Sequence, residues 1–100
     1  MIYQVLQNKG DKTTEAAINA RMFGKVNPID VIRDYKIVCE IEADDMDQVF
    51  EIGNIGPESK INRLDRMHSV SVGDIIRDDR GLMFVVSGFG FTRLGDKVAA

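Results

Sequence analysis

Two β-rich runs around a polar turn constrain this chain more than any other feature. Residues 70–77 (Val-Ser-Val-Gly-Asp-Ile-Ile-Arg) and 82–87 (Leu-Met-Phe-Val-Val-Ser) flank Asp78-Asp79-Arg80-Gly81. β-Branched and aromatic side chains pack well on a pleated surface, and Gly81 supplies a turn position where φ can be positive. The pattern predicts a hairpin, closed by Gly88-Phe89-Gly90-Phe91. It says much about fold and little about chemistry.

One hundred residues with 44% hydrophobic and 29% charged side chains describe a single domain over 1–100. A chain of this size buries roughly 65% of its unfolded surface, enough for one modest core. The lone Cys39 has no partner for an internal disulfide, and its place in Ile37-Val38-Cys39 predicts a buried, inert thiol. No run approaches the ~18 apolar residues of a membrane span, and no basic region precedes an apolar stretch at the start. A cytoplasmic protein without membrane contact is therefore expected. The net charge of −3 argues against broad phosphate-backbone binding but leaves room for a local basic patch.

Along the chain, residues 1–7 suit a first strand, and Asn8-Lys9-Gly10-Asp11 reads as a turn. Thr13 or Thr14 can cap a helix through Phe23 with Gly24 as its stop; a long irregular connection is the alternative. Asn27-Pro28 breaks the chain, and 29–34 has room for one helical turn. Residues 35–42 alternate with a period of two, placing Tyr35, Ile37, Cys39 and Ile41 on one buried face. Asp45 and Gln48 have capping-box spacing, and Met46, Val49, Phe50 and Gly53 form a helical stripe that Asn54 or Gly56 ends. Pro57 suits the start of another short helix, with Ile61 and Leu64 inward and Lys60, Arg63 and Arg66 along another side. Residues 95–100 read as a frayed tail.

Val49-Phe50-Glu51-Ile52-Gly53-Asn54, then Ser69-Val70-Ser71-Val72-Gly73-Asp74-Ile75-Ile76, then Val85-Val86-Ser87-Gly88-Phe89-Gly90-Phe91 resemble the YodL-like domain family. The likeness is best over 42–94, with Ile2-Tyr3-Gln4 and Tyr35-Lys36-Ile37-Val38 compatible with the family's opening. This chain departs from the pattern at Gly53, where the family places an aromatic, and over 56–67, which is longer and more basic. The resemblance implies an origin in a phage or mobile element. It implies no catalytic or binding residues.

The residues themselves offer few sites. His68 with Ser69 or Ser71 lacks the facing geometry of a nucleophile and base, since neighbours on a strand point to opposite sides. Backbone hydrogen bonding suits these short polar side chains better. Gly73-Asp74 reads as a tight bend whose carboxylate bonds nearby N–H groups. The aspartates near 44–47 lack the glycine and distal glutamate of a calcium loop and suit a helix N-terminus. Gly88-Phe89-Gly90-Phe91 is no phosphate loop, and its aromatics are expected to share one face of an extended segment, as core or as an exposed platform. The acidic run Glu40, Glu42, Asp44, Asp45, Asp47 and Glu51 and the cations Lys60, Arg63, Arg66, Arg77 and Arg80 are solvated faces or parts of a polar interface.

The expected fold is α+β: a small antiparallel or mixed sheet of four or five strands with one to three short helices on one face. The expected function is that of a non-enzymatic phage or mobile-element protein that binds and modulates a host macromolecule, foremost a protein. Partner-binding candidates are Glu40, Glu42, Asp44, Asp47, Glu51, Lys60, Arg63, Arg66, Arg77, Arg80, Phe89 and Phe91. A nucleic-acid-binding accessory protein using the basic residues is the alternative. No cofactor or metal is expected, and a homodimer through an open sheet edge is open.

Overall fold

The computed structural model describes residues 1–94, so the tail expected over 95–100 lies outside the described residues. The elements run β1 (Ile2–Asn8), α1 (Glu15–Phe23), α2 (Pro28–Asp34), β2 (Tyr35–Glu42), α3 (Met46–Ile55), a 3-10 turn (Glu58–Lys60), β3 (Ile61–Arg63), β4 (Ile75–Arg77), β5 (Met83–Ser87) and β6 (Gly90–Arg93). Among the described residues the strands form one sheet in the order β3-β2-β1-β4-β5-β6, every neighbour antiparallel. The α+β class is as expected, and β3 and β6 widen the sheet to six strands.

One extra residue in β2 decides how the apolar residues are distributed. Val5 lies opposite Cys39 while Leu6 lies opposite Ile37, so Val38 is bulged out of the pairing. The bulge re-aims everything after it. Tyr35 and Ile37 pack with Leu6, Ile75 and Val85, together with Val31 of α2. Cys39 and Ile41 pack instead with Tyr3, Val5, Ile76 and Val86, together with Val49 and Ile52 of α3. The single buried face expected for Tyr35, Ile37, Cys39 and Ile41 is therefore split in two, because the bulge breaks the period of two. Val5 and Leu6 are consecutive on a strand and point oppositely, so α3 and α2 divide the two sides of the sheet between them, where the helices were expected on one face. Each fully buried Val, Leu or Ile stabilises by about 1.5–3 kcal/mol relative to exposure.

The helix ends follow local chemistry. Thr14, not Thr13, caps α1, its Oγ1 accepting from Ala17 N at 3.1 Å, and Gly24 closes the helix at φ 63°. Asn27 precedes α2, its backbone N–H donating to the Asp30 carboxylate at 3.2 Å. Asp45 caps α3 by accepting from Gln48 N at 2.8 Å, and Gln48 Oε1 accepts from Asp44 N at 2.8 Å. In α3, Val49 and Ile52 are buried while Phe50 sits at the margin of the expected stripe, 39% exposed. A Cβ at Gly53 would overlap Val70 Cγ2, so the small residue there admits the buried Val70 against the helix.

Two expectations are corrected. The second helix expected after Pro57 is only a 3-10 turn, and Ile61–Arg63 pairs with β2 instead. So short a helix has little stability of its own, whereas as a strand Ile61 lies opposite Ile41 and packs on the α3 cluster. Leu64 is 54% exposed and is not a core residue. The strand expected over 70–77 narrows to Ile75–Arg77, because Asp74 N donates to Ser71 O at 3.0 Å and Gly73 turns at φ 93°. The expected tight bend at Gly73-Asp74 is thus present.

α1 approaches that bend unusually closely. A Cβ on Gly73 would stand 2.6 Å from the Ala20 carbonyl oxygen. The helix accordingly buries small residues, Ala17 and Ala20, and leaves Met22 65% exposed. Among the described residues no helix is long and apolar enough to cross a membrane.

Candidate functional site

The structure scatters most of the residues that the sequence singles out. Glu42, Asp44, Glu51 and Lys60 line one open hollow of about 320 Å³ beside the start of α3, where Lys60 Nζ stands 3.8 Å from Glu42. Glu40 lies outside that hollow and accepts from Asn62 Nδ2 at 3.2 Å, while Asp47 is exposed on the first turn of α3. Lys60, Arg63 and Arg66 make no helical stripe, because the chain there is a 3-10 turn, a strand and a loop. Arg63 is paired with Glu58 and Arg80 with Asp78, the latter at 3.1 Å. The exposed Arg66 contributes its carbonyl as acceptor for Lys9 Nζ. Arg77 lines a separate shallow hollow with Glu40, Asp78 and Asp79.

The two aromatics separate as well. Gly88 and Phe89 form the turn between β5 and β6, with Ser87 opposite Gly90, so Phe89 is at a hairpin tip rather than in an extended segment. Phe91 faces Val86 and packs against the core, whereas Phe89 is fully exposed at 105%. The expectation that they share one face fails because the turn intervenes between them.

The end of α1 packs against the base of the β5–β6 hairpin, a neighbourhood that sequence reasoning did not assemble. A Cβ on Gly24 would lie 3.0 Å from Ser87 Cα, which sets the C-terminus of the helix against the base of the hairpin tip. Met22 and Phe23, the two residues before Gly24, are 65% and 60% exposed. The exposed cations Arg21 and Lys25 bracket them in sequence, and neither pairs with a carboxylate among the described residues. Exposed aromatics and methionine are features that partner-binding surfaces favour. The sequence signal was present in Arg21-Met22-Phe23-Gly24-Lys25, but only the fold sets it beside the hairpin.

On the inner side of α1 lies a polar cluster built around two buried side chains, Gln7 at 1% and Asp74 at 5% exposure. Gln7 Nε2 donates to Asp74 Oδ2 at 3.0 Å and to His68 O at 2.9 Å, while Gln7 Oε1 accepts from His68 N at 3.2 Å. Those two donations use both amide hydrogens. The His68 Nδ1, 2.7 Å from Ser69 O, accordingly takes the role of donor to that carbonyl. Asp74 Oδ2 also accepts from Ser71 N at 2.9 Å, and Tyr35 Oη donates to Gly73 O at 2.6 Å.

Burial sets the electrostatics of this cluster. Removing Asp74 from water raises its carboxyl to about 6, against hydrogen bonds from Ser71 and Gln7 and the nearby His68, which pull the other way. Burial likewise raises Tyr35, with Asp74, Asp30 and Asp34 adding to the shift. Away from the cluster, burial pushes the Cys39 thiol up to about 11, the state of an inert core cysteine. Chemically, the arrangement fixes the 67–74 loop to the sheet and presents a carboxylate to a pocket, and His68 is oriented by backbone rather than toward a serine. In comparisons with family models, curated proteins and solved structures, none matches this chain.

Proposed function

We propose that this chain is a non-enzymatic accessory protein of a phage or mobile element that binds and modulates a host macromolecule, a protein with an acidic surface. The observation that carries the reading is that exposed Met22 and Phe23, with Arg21 and Lys25 beside them in sequence, end the helix that packs against the base of the hairpin bearing exposed Phe89. Apolar anchors with a charged rim give affinity at the centre and orientation at the edge. The resemblance over 42–94 supports the mobile-element setting. The acidic hollow at Glu42, Asp44 and Glu51 lies on a different part of the fold, beside α3, and leaves the cationic rim unneutralised.

Nucleic-acid binding draws less support, because Lys60, Arg63 and Arg80 each already meet a carboxylate. Phosphate neutralisation needs free cations along a track. The test is affinity capture from nuclease-treated host lysate with the wild type and with Phe23→Ser/Phe89→Ser. A single protein retained by the wild type and reduced at least about tenfold by the double variant is the expected result, since two exposed anchors together supply more than about 1.4 kcal/mol. Recovery that nuclease abolishes moves the function to nucleic acid. Sizing of the purified chain in the same experiment distinguishes a host partner from a homodimer formed through the same surface.

A further inference from the structure

The pocket on the inner side of α1 is lined by a largely buried carboxylate with one oxygen still able to accept. Asp74 is 5% exposed, and its two hydrogen bonds, from Gln7 and Ser71, both fall on Oδ2. Among the described residues no salt bridge reaches the group and neither bond falls on Oδ1, and since no buried side-chain oxygen there lacks a partner, Oδ1 is open to solvent. A carboxylate oxygen that reaches the pocket can accept from a donor placed there. Asp74 lines a pocket of about 170 Å³ whose apolar wall comes from Ala17, Ala20 and Val72. A cavity of about 150 Å³ accommodates a guest the size of benzene. Tyr35 also lines it, and since its proton goes to Gly73 O, its oxygen keeps a lone pair for a donor. The exposed Lys12 and Arg21 complete the lining at the solvent end.

We propose that this pocket binds a small zwitterion of the α-amino-acid type, its ammonium group on Asp74 and Tyr35 and its carboxylate at Lys12 and Arg21. The side chain of such a ligand lies along Ala17, Ala20 and Val72. Acid inside and cations outside select a molecule carrying both charges: a plain amine meets the cationic end, and a plain carboxylate meets Asp74. The pocket shares Arg21 with the protein-binding surface but uses neither Phe23 nor Phe89, so their substitution leaves it in place.

The experiment is titration of the isotope-labelled chain with each of the twenty free amino acids, followed through its backbone amides by NMR. At least one is expected to shift Ala17, Ser71 and Gly73 saturably with Kd below about 1 mM. Its N-acetyl derivative and its carboxamide, each lacking one charge, are expected to bind at least about tenfold more weakly. Asp74→Asn keeps an acceptor for Gln7 and Ser71 and should lose binding with the fold intact. Ala17→Leu fills the pocket from the helix and provides a second check should the first variant fold poorly. Absence of saturable shifts with all twenty, equal binding of the blocked derivatives, or binding unchanged in both variants overturns the proposal.

Discussion

Asp74 shows how much a single buried group can govern. Its carboxyl titrates near 6 in the fold against 3.8 for an ordinary aspartate. A raised folded value means that the native state holds the proton more tightly than the unfolded chain. Its contribution to stability is therefore complete below about pH 4, declines as pH rises toward 6, and is gone above that. Two pH units correspond to a loss of about 3 kcal/mol at most. Exposed Asp11 and Glu58, held low by Thr13 and Arg63, contribute with the opposite sign. The informative quantity is thus the difference between wild type and Asp74→Asn in urea melts from pH 4 to 7. The variant is expected to gain on the wild type as pH rises and to reach parity or better at pH 7. A constant difference across that range would remove Asp74 as the cause. The sequence revealed this residue as a bend-forming carboxylate beside Gly73. It did not reveal Gln7, because the two stand 67 positions apart and only strand pairing brings them together. The one local hint was a glutamine continuing the buried alternation of Tyr3 and Val5.

At the scale of elements, ends were legible and faces were not. Thr14, Asp45 and Gly24 act within a few residues of where they stand, so capping chemistry locates them directly. Thr14→Ala should cost about 1 kcal/mol, read as a lowered urea midpoint. The face that α1 buries was hidden because its anchors are alanines, whose burial depends on how closely Gly73 lets the backbone approach. Gly73→Ala combines an unfavourable φ of 93° with a Cβ 2.6 Å from the Ala20 carbonyl, and one of the two backbones has to move. The expected loss is at least about 2 kcal/mol in the same melts, exceeding that of Thr14→Ala. A loss below that of the cap variant would show that α1 sits loosely on the bend. β3 was misread for a related reason. Three residues carry too little periodicity to declare a strand, and the pairing of Ile61 with Ile41 is made from outside the segment.

For the whole molecule, composition and alternation were enough for the α+β class, while the division of the core needed the Val38 bulge. Charge is divided too. Acids line the hollow by α3, and Arg21 and Lys25, without a carboxylate partner among the described residues, bracket Met22 and Phe23 at the end of α1. The strand order carries one more consequence. β1 sits between β2 and β4, and it meets β4 through three residue pairs, Gln4 with Arg77, Val5 with Ile76 and Leu6 with Ile75. Every strand on the β2 side of that seam comes from the first 63 positions, and every strand beyond it from position 75 onward, with α1 and α2 reaching across to pack on the second group. A cut in the loop after Asp65 therefore yields two pieces, each retaining its own neighbouring strands and each missing the other as a template. Mixed, 1–65 and 66–100 are expected to regenerate the amide spectrum of the uncut protein, which would make this small sheet a natural two-part reporter of proximity between whatever is fused to its halves.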